Sequence, residues 1–152
     1  MRWWLFLLLI ASHSALAESY KHLKTAEWES LATITFVGGD CPFTQNDIEE
    51  DVLGELLRAR LKKVETHEIF LSVSIKCVSV IDKVTHAGYA MSVNIHFGVF
   101  ITRNGEDVPA EFVWPDQGGV AIYGKDTSNF RVGFRELVNK ALTDYLESNF
   151  RQ

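Results

Sequence analysis

The stretch Tyr89–Trp114, YAMSVNIHFGVFITRNGEDVPAEFVW, decides the fold of this chain. Apolar side chains alternate with other residues through its first half, which predicts a strand with one buried face. The Asn-Gly pair at 104–105 predicts a type I′ hairpin turn that pairs Arg103 with Glu106. In that register the core-facing residues of the second strand are all apolar: Val108, Ala110, Phe112 and Trp114. The turn residues and the apolar pattern therefore predict the same register. Pro109 has no backbone N–H to donate to a neighbouring strand, which indicates that this strand lies at the edge of the sheet.

Two further strands are predicted before this hairpin. Residues 32–37 alternate in hydrophobicity, and the residues expected to face the core are Ala32, Ile34 and Phe36. His67–Ile81 is a longer alternating strand whose apolar set occupies the odd positions up to Cys77. The valines at 78 and 80 break this pattern, which indicates a bulge or a strand end. Residues 82–88 are expected to turn the chain.

Two helices complete the predicted fold. Thr44 and Asp47 approximate a capping box, and apolar residues at helical spacing carry this helix to about Val64. A second helix follows a cap at Asp126 and has an apolar stripe from Phe130 onward. The order is β-α-β-β-β-α, with a possible short extra strand at 120–123. It predicts an α+β fold: a two-layer sandwich with a mostly antiparallel sheet and two helices on one face.

The two cysteines of the chain constrain the topology. Cys41 comes just after the strand at 32–37, and Cys77 lies near the end of the strand at 67–81. A disulfide requires Cα atoms within about 7 Å, which these two positions meet if the strands run parallel and are joined by a right-handed helical crossover. We therefore expect a structural Cys41–Cys77 disulfide.

The amino-terminal residues predict export. Residues 1–17 combine Arg2, an apolar run and a small-residue cleavage site at 15–17, as in a cleaved signal peptide. We expect an N-terminal segment at 18–30, a single domain over 31–152, and no membrane span after cleavage. The location is the periplasm or the exterior of the cell, with a bacterial periplasm favoured.

Composition and motifs exclude several functions. The formal net charge is −5 and no stripe of Lys and Arg occurs, so nucleic acid is not an expected partner. No cofactor or metal is predicted, because the histidines lie on separate segments without the spacing of a zinc site. No catalytic residue is predicted, since no nucleophile-elbow motif occurs.

The sheet face opposite the helices is the candidate binding site. If the turn lies near residue 85, Phe70 meets Phe100 and Ser74 meets His96, with an uncertainty of about two residues. An apolar patch and a polar strip then lie side by side, and the predicted binding residues are Phe70, His96, Phe100 and Glu111. The alternative is that this face is covered by residues 18–30 or 115–125 of the chain itself.

The element order of residues 31–150 is similar to that of small envelope accessory proteins, such as the lipopolysaccharide-assembly lipoprotein that plugs an outer-membrane barrel. The resemblance is one of architecture and implies an assembly role with a protein partner in the cell envelope. Glu18 stands where a lipoprotein has its lipidated cysteine. We expect an exported, non-enzymatic binding or envelope-assembly accessory protein.

Two alternative functions stay open. One is a soluble carrier of a small apolar ligand, with a cavity lined by Phe97, Phe112, Trp114 and Phe134. The other is a small secreted enzyme that uses Ser74, His96 and Glu111 on the open sheet face. A homodimer through the edge strand at Pro109 is compatible with each function.

Overall fold

Eight elements make up the part of the chain that the computed structural model describes, residues 23–111, 117–123 and 126–150. They follow in the order β1 (Ser30–Gly39), α1 (Gln45–Arg58), β2 (Lys62–Val64), β3 (Ile69–Asp82), β4 (Thr85–Arg103), β5 (Glu106–Glu111), β6 (Gln117–Tyr123) and α2 (Ser128–Phe150). The predicted signal peptide, the start of the 18–30 segment, Phe112 and Trp114 lie outside the described residues.

The strands form one mixed sheet in the order β2-β1-β3-β4-β5, and β6 also pairs with β4. β1 runs parallel to β2 and β3, whereas β4 is antiparallel to β3, β5 and β6. α1 packs against β1 and β2, α2 packs against β4 and β6, and the two helices contact each other. The predicted α+β two-layer sandwich is confirmed.

A disulfide closes the β1–α1–β3 crossover, as the two cysteines predicted. The Cα atoms of Cys41 and Cys77 are 4.9 Å apart, and Gly39 pairs with Cys77 in the parallel ladder. A Cβ added at Gly39 would lie 2.1 Å from the Cys77 carbonyl oxygen, and its φ is +81°. Only glycine fits this backbone conformation and close approach without strain.

The core lies between the sheet and the two helices. The odd-numbered residues between 69 and 77 of β3 and between 91 and 97 of β4 point into it, including Leu71, Ile75 and Phe97. α2 supplies its predicted apolar stripe, and the Tyr145 ring stacks on Phe97 with 5.7 Å between centroids. The Tyr145 hydroxyl donates a hydrogen bond to the Ser30 carbonyl oxygen at 3.2 Å, which fixes α2 to the start of β1.

The predicted orientation of β1 is wrong. Phe36 pairs with Ser74, so the even-numbered residues of β1 lie on the side of the sheet away from the helices. Ile34 and Phe36 are consequently exposed, while Leu31 and Val37 pack toward the core. An alternation of apolar and polar residues identifies a strand but does not tell which of its two faces is buried. The first core-facing residue of β1, Leu31, lies one position before the predicted strand.

The first helix ends at Arg58, well before its predicted end. The amide of Leu61 donates to the Leu56 carbonyl at 2.9 Å, and the amide of Arg60 donates to the Leu57 carbonyl at 3.1 Å. With Arg60 at a φ of 59°, this is a Schellman motif formed without glycine. The chain then leaves the helix to form β2 beside β1.

The β4–β5 hairpin has the predicted register. Arg103 pairs with Glu106 across Asn104 and Gly105, whose φ values of 55° and 84° are those of a type I′ turn. β5 lies at the edge of the sheet, and Pro109 pairs within it. The predicted edge strand is confirmed.

β5 and β6 pair with the same side of β4 in two different registers. Gly98 pairs with Glu111, and Ile95 pairs with Gln117. His96 and Phe97 of β4 therefore lie between the two ladders.

Candidate functional site

The side of the sheet without helices, here called the open face, carries the even-numbered residues of β1, β3 and β4. Pairing between strands arranges these residues in rungs. Ile34, Ser72 and His96 form one rung. The next consists of Phe36, Ser74 and Asn94. The observed register between β3 and β4 differs by two residues from the predicted one. His96 therefore pairs with Ser72 rather than with Ser74.

Phe70 and Phe100 come together on the open face as predicted, but their roles differ. The two ring centroids are 5.0 Å apart. Phe70 is fully buried, whereas Phe100 is partly exposed. The Phe70 ring lies over Gly98, where an added Cβ would be 2.3 Å from its Cζ. Phe70 therefore supports the surface, and Phe100 forms part of it.

Glu111 reaches across β4 to β3. The hydroxyl of Ser72, which is buried, donates a hydrogen bond to Glu111 Oε1 at 2.5 Å. Glu111 is itself exposed and pairs with Gly98 in the ladder, and His96 lies between the two strands that it joins. The structure thus brings Ser72, His96 and Glu111 together and leaves Ser74 one rung away.

Exposed apolar side chains flank this polar centre. Phe36 is 52% exposed and Ile34 39% exposed on the β1 side, and Val120 is 74% exposed on β6. Val120 pairs with Ser92, so it shares the open face. Sequence analysis missed these three residues, because Ile34 and Phe36 were assigned to the core and β6 had no predicted register.

The described part of the N-terminal segment does not cover the open face. Leu23 is buried in the core, and its carbonyl accepts a hydrogen bond from the Asn149 side chain at 2.9 Å. The Trp28 ring contacts Phe150 with 4.5 Å between centroids, at the end of α2. β6, the described part of the 115–125 segment, extends the sheet instead of covering it.

A small apolar cleft separates α2 from β6. Its volume is about 170 Å³, and its lining includes Met91, Ala121, Phe130, Gly133 and Phe134. Phe97, expected in a ligand cavity, instead packs on Tyr145 in the core. The cleft is smaller than the roughly 300–1,000 Å³ of typical ligand pockets.

Within residues 23–111, 117–123 and 126–150, no cluster of three or more His, Cys, Asp or Glu side chains could hold a metal ion. Neither described helix is long and apolar enough to cross a membrane.

No protein-family model matches the sequence, and no curated protein sequence matches it. Among solved structures, a dodecameric PelC variant from Paraburkholderia phytofirmans is 14% identical, over 81% of this chain and 87% of that chain, with a TM-score of 0.44. A hypothetical protein from Chlamydia trachomatis is 13% identical, over 76% and 96%, with a TM-score of 0.43. A minor lipoprotein from Acinetobacter baumannii is 11% identical, over 79% and 91%, with a TM-score of 0.32. These similarities are too low to carry an argument about function.

Proposed function

We propose that this chain, after export, acts as a non-enzymatic binding or assembly accessory protein of the bacterial cell envelope. It contacts a protein partner through the open face. The observation that carries the proposal is the exposure of Ile34, Phe36, Phe100 and Val120 on the side of the sheet without helices. Large apolar side chains that are exposed together on one face are typical of protein contact surfaces.

The disulfide supports an extracytoplasmic location. Disulfides persist in oxidising compartments such as the periplasm and are rare in the cytosol. Cys41 and Cys77 are bonded, and the sequence before them has the pattern of a signal peptide. Both features agree with export, and they come from separate parts of the chain.

The open face offers both anchoring and orienting groups to a protein. Phe100 presents an aromatic ring that Phe70 holds from below, a preorganised arrangement of the kind found at interface anchors. Glu111 and His96 lie next to this pair and provide polar contacts that fix the orientation of a partner. Ser72 holds the Glu111 carboxylate in place.

The enzyme alternative receives less support from this geometry. In a serine nucleophile system the hydroxyl donates to a histidine, which a carboxylate orients. Here the Ser72 hydroxyl donates directly to Glu111. The carrier alternative receives less support as well, because the cleft beside α2 is below the size of ordinary ligand pockets.

Photo-crosslinking in the cell tests the proposal by position. A photoreactive phenylalanine analogue is placed at Phe100 or at Val120, and a matched variant carries it at Val132. This control residue is exposed and apolar but belongs to α2. We expect an adduct of one defined mass from the open-face positions only. The Phe100→Lys variant should lose the Val120 adduct while it keeps its circular dichroism spectrum.

Two results would contradict the proposal. One is an adduct that forms equally from Val132, which would place the contact elsewhere or make it nonspecific. The other is the absence of any adduct from Phe100 and Val120 in the exported, disulfide-bonded protein.

A further inference from the structure

The outer side of β1 is a largely unpaired sheet edge. β2 pairs only with Ser30–Ala32, and β3 occupies the other side of β1. Residues 33–39 therefore have no strand partner on their outer side within the described ranges. Such an edge presents a row of free backbone donors and acceptors, which can pair with a strand of another chain.

This edge lacks the usual protection against pairing. No charged residue occurs between Glu29 and Asp40, and the central segment is Thr-Ile-Thr-Phe-Val. β5, an edge strand on the other side of the sheet, carries three acidic residues and a proline: Glu106, Asp107, Pro109 and Glu111. β6 is uncharged, but its adjacent glycines, Gly118 and Gly119, weaken strand pairing. The β1 edge is the best suited of the three to accept a strand.

The helix layer exposes apolar side chains above the same edge. Asp51 accepts a hydrogen bond from Arg131 at 2.7 Å, so this side of α1 faces α2. Leu53 lies two positions further, about 200° around the helix, on the side of α1 away from α2. Leu57 follows one turn later, and the two leucines are 39% and 66% exposed. Both layers of the fold therefore leave apolar surface at the β1 side.

We propose that two copies of the chain pair through β1, antiparallel and about a two-fold axis at Phe36, the centre of the unpaired residues 33–39. In this register Phe36 of one copy lies opposite Phe36 of the other, and Thr35 lies opposite Val37. Even positions meet even positions, so the two sheets join with their open faces on the same side. Aromatic pairs directly opposite each other are among the cross-strand pairs that stabilise antiparallel sheets.

The charge order along α1 fits the same axis. Acidic residues such as Glu49 and Glu50 occupy its first half, and Arg60 and Lys62 follow its end. A two-fold axis sets the acidic half of one helix against the basic end of the other. Homodimers with one such axis use the same surface on both subunits, and here that surface is complementary to itself in both charge and apolar pattern.

Sedimentation equilibrium on the exported, disulfide-bonded protein tests this dimer, from micromolar to hundred-micromolar concentration. We expect a dimer in the native protein. Phe36→Lys places two lysines directly opposite each other across the two-fold axis, and their repulsion should weaken the dimer about 100-fold. Leu53→Glu tests the helix layer separately and should also weaken it. The matched controls Val120→Lys and Val132→Glu change exposed apolar residues away from the edge, and should leave the dimer intact.

The possible outcomes separate this inference from the proposed function. A native protein that stays monomeric overturns it, including the case in which the protein's own N-terminal residues cover the β1 edge. A dimer that survives both Phe36→Lys and Leu53→Glu overturns the assignment to β1. The crosslinks from Phe100 and Val120 depend on a different part of the open face, so either proposal can fail while the other holds.

Discussion

Gly98 determines how the aromatic pair sits on the open face. The Phe70 ring occupies the space above its Cα, in an arrangement in which an aromatic side chain covers a glycine on the neighbouring strand. Because Phe70 lies close against the sheet, the Phe100 ring can pack against it at a tilt and still reach the surface. Because Gly98 has no side chain, both aromatic rings can take these positions.

We expect Gly98→Ala to lower the free energy of unfolding by about 2 kcal/mol, since the added methyl group has no space. An added Cβ would lie 2.3 Å from Phe70 Cζ and 2.6 Å from the Ala110 carbonyl oxygen. Urea unfolding measures the change. The control is Gly54→Ala, where nothing lies within 4 Å on α1 and stability should rise by about 0.5–1 kcal/mol. Equal effects at the two positions would contradict the close packing at Gly98.

Tyr145 should make stability depend on pH in the alkaline range. Burial, with a smaller contribution from the charge of Glu68, raises the pKa of Tyr145 from 10.0 to about 12. A raised pKa means that the folded state holds the proton more tightly. The contribution is therefore complete below pH 10 and is lost as the pH rises toward 12. The free energy of unfolding should fall over this window.

Tyr145→Phe provides the comparison for this pH effect. The variant lacks the ionisable group, so its stability should fall less steeply between pH 10 and 12. At neutral pH it should be about 1 kcal/mol less stable, because it loses the hydrogen bond to the Ser30 carbonyl. Identical pH slopes for the two proteins would show that Tyr145 ionises equally in the folded and unfolded states.

At the scale of the element, the end of α1 depends on backbone geometry rather than on sequence pattern. Apolar spacing continues past Arg58, but the Schellman hydrogen bonds end the helix there and release the chain to form β2. A glycine at position 60 would have indicated from the sequence that the helix ends there. Arginine in the same conformation gives no such indication.

Arg60→Gly should therefore stabilise the protein by about 0.5–1 kcal/mol, because glycine adopts a positive φ at lower cost. Thermal unfolding measures the shift. Arg58→Gly, two residues earlier and inside the helix, should have the opposite sign and cost about 1 kcal/mol. If both substitutions destabilise, the left-handed conformation at residue 60 is wrong.

The disulfide acts on the β1–α1–β3 unit as a whole. It closes a loop with a sequence separation of 36 residues, worth about 4 kcal/mol in the chain-entropy description. Replacing both cysteines with alanine should lower the free energy of unfolding by about 2–4 kcal/mol. Reducing the native protein should cause a similar loss, and the alanine variant should be insensitive to the reductant. A negligible loss would mean that the crossover is fixed by packing alone.

Elements whose local signals agree were predictable from sequence, and those that depend on tertiary context were not. The hairpin was correct because Asn104-Gly105 and the apolar alternation specify the same register. The orientation of β1 was wrong because both of its faces carry apolar residues: Leu31 and Val37 on one, Ile34 and Phe36 on the other. Only the pairing with β3 decides between the two faces.

At the scale of the whole molecule, the two cysteines and the element order were enough to predict the α+β sandwich and which side of the sheet is open. The composition of that open face was predicted only in part. Phe70, His96, Phe100 and Glu111 do lie on it, but Phe70 is buried and the exposed apolar residues of β1 and β6 were missed. The open face draws its residues from five strands, so its composition depends on every register between them, and local sequence specified only the register of the β4–β5 hairpin.

Export makes a prediction for the whole chain. The protein recovered from the periplasm should begin at Glu18, because the small-residue cleavage site ends at Ala17. Intact mass spectrometry under non-reducing conditions should give the mass of residues 18–152 less two hydrogens, for one disulfide. Recovery of the full-length chain with free thiols would argue against export.

The change of register between β5 and β6 bears on how this fold can diversify. Each strand is held on β4 by its own hydrogen bonds, so the connection between them can gain or lose residues without shifting either ladder. That connection begins directly after Glu111, which pairs with Gly98. Insertions and deletions there would remodel the rim of the open face while the scaffold stays constant, which is how related proteins acquire new specificities on a shared framework.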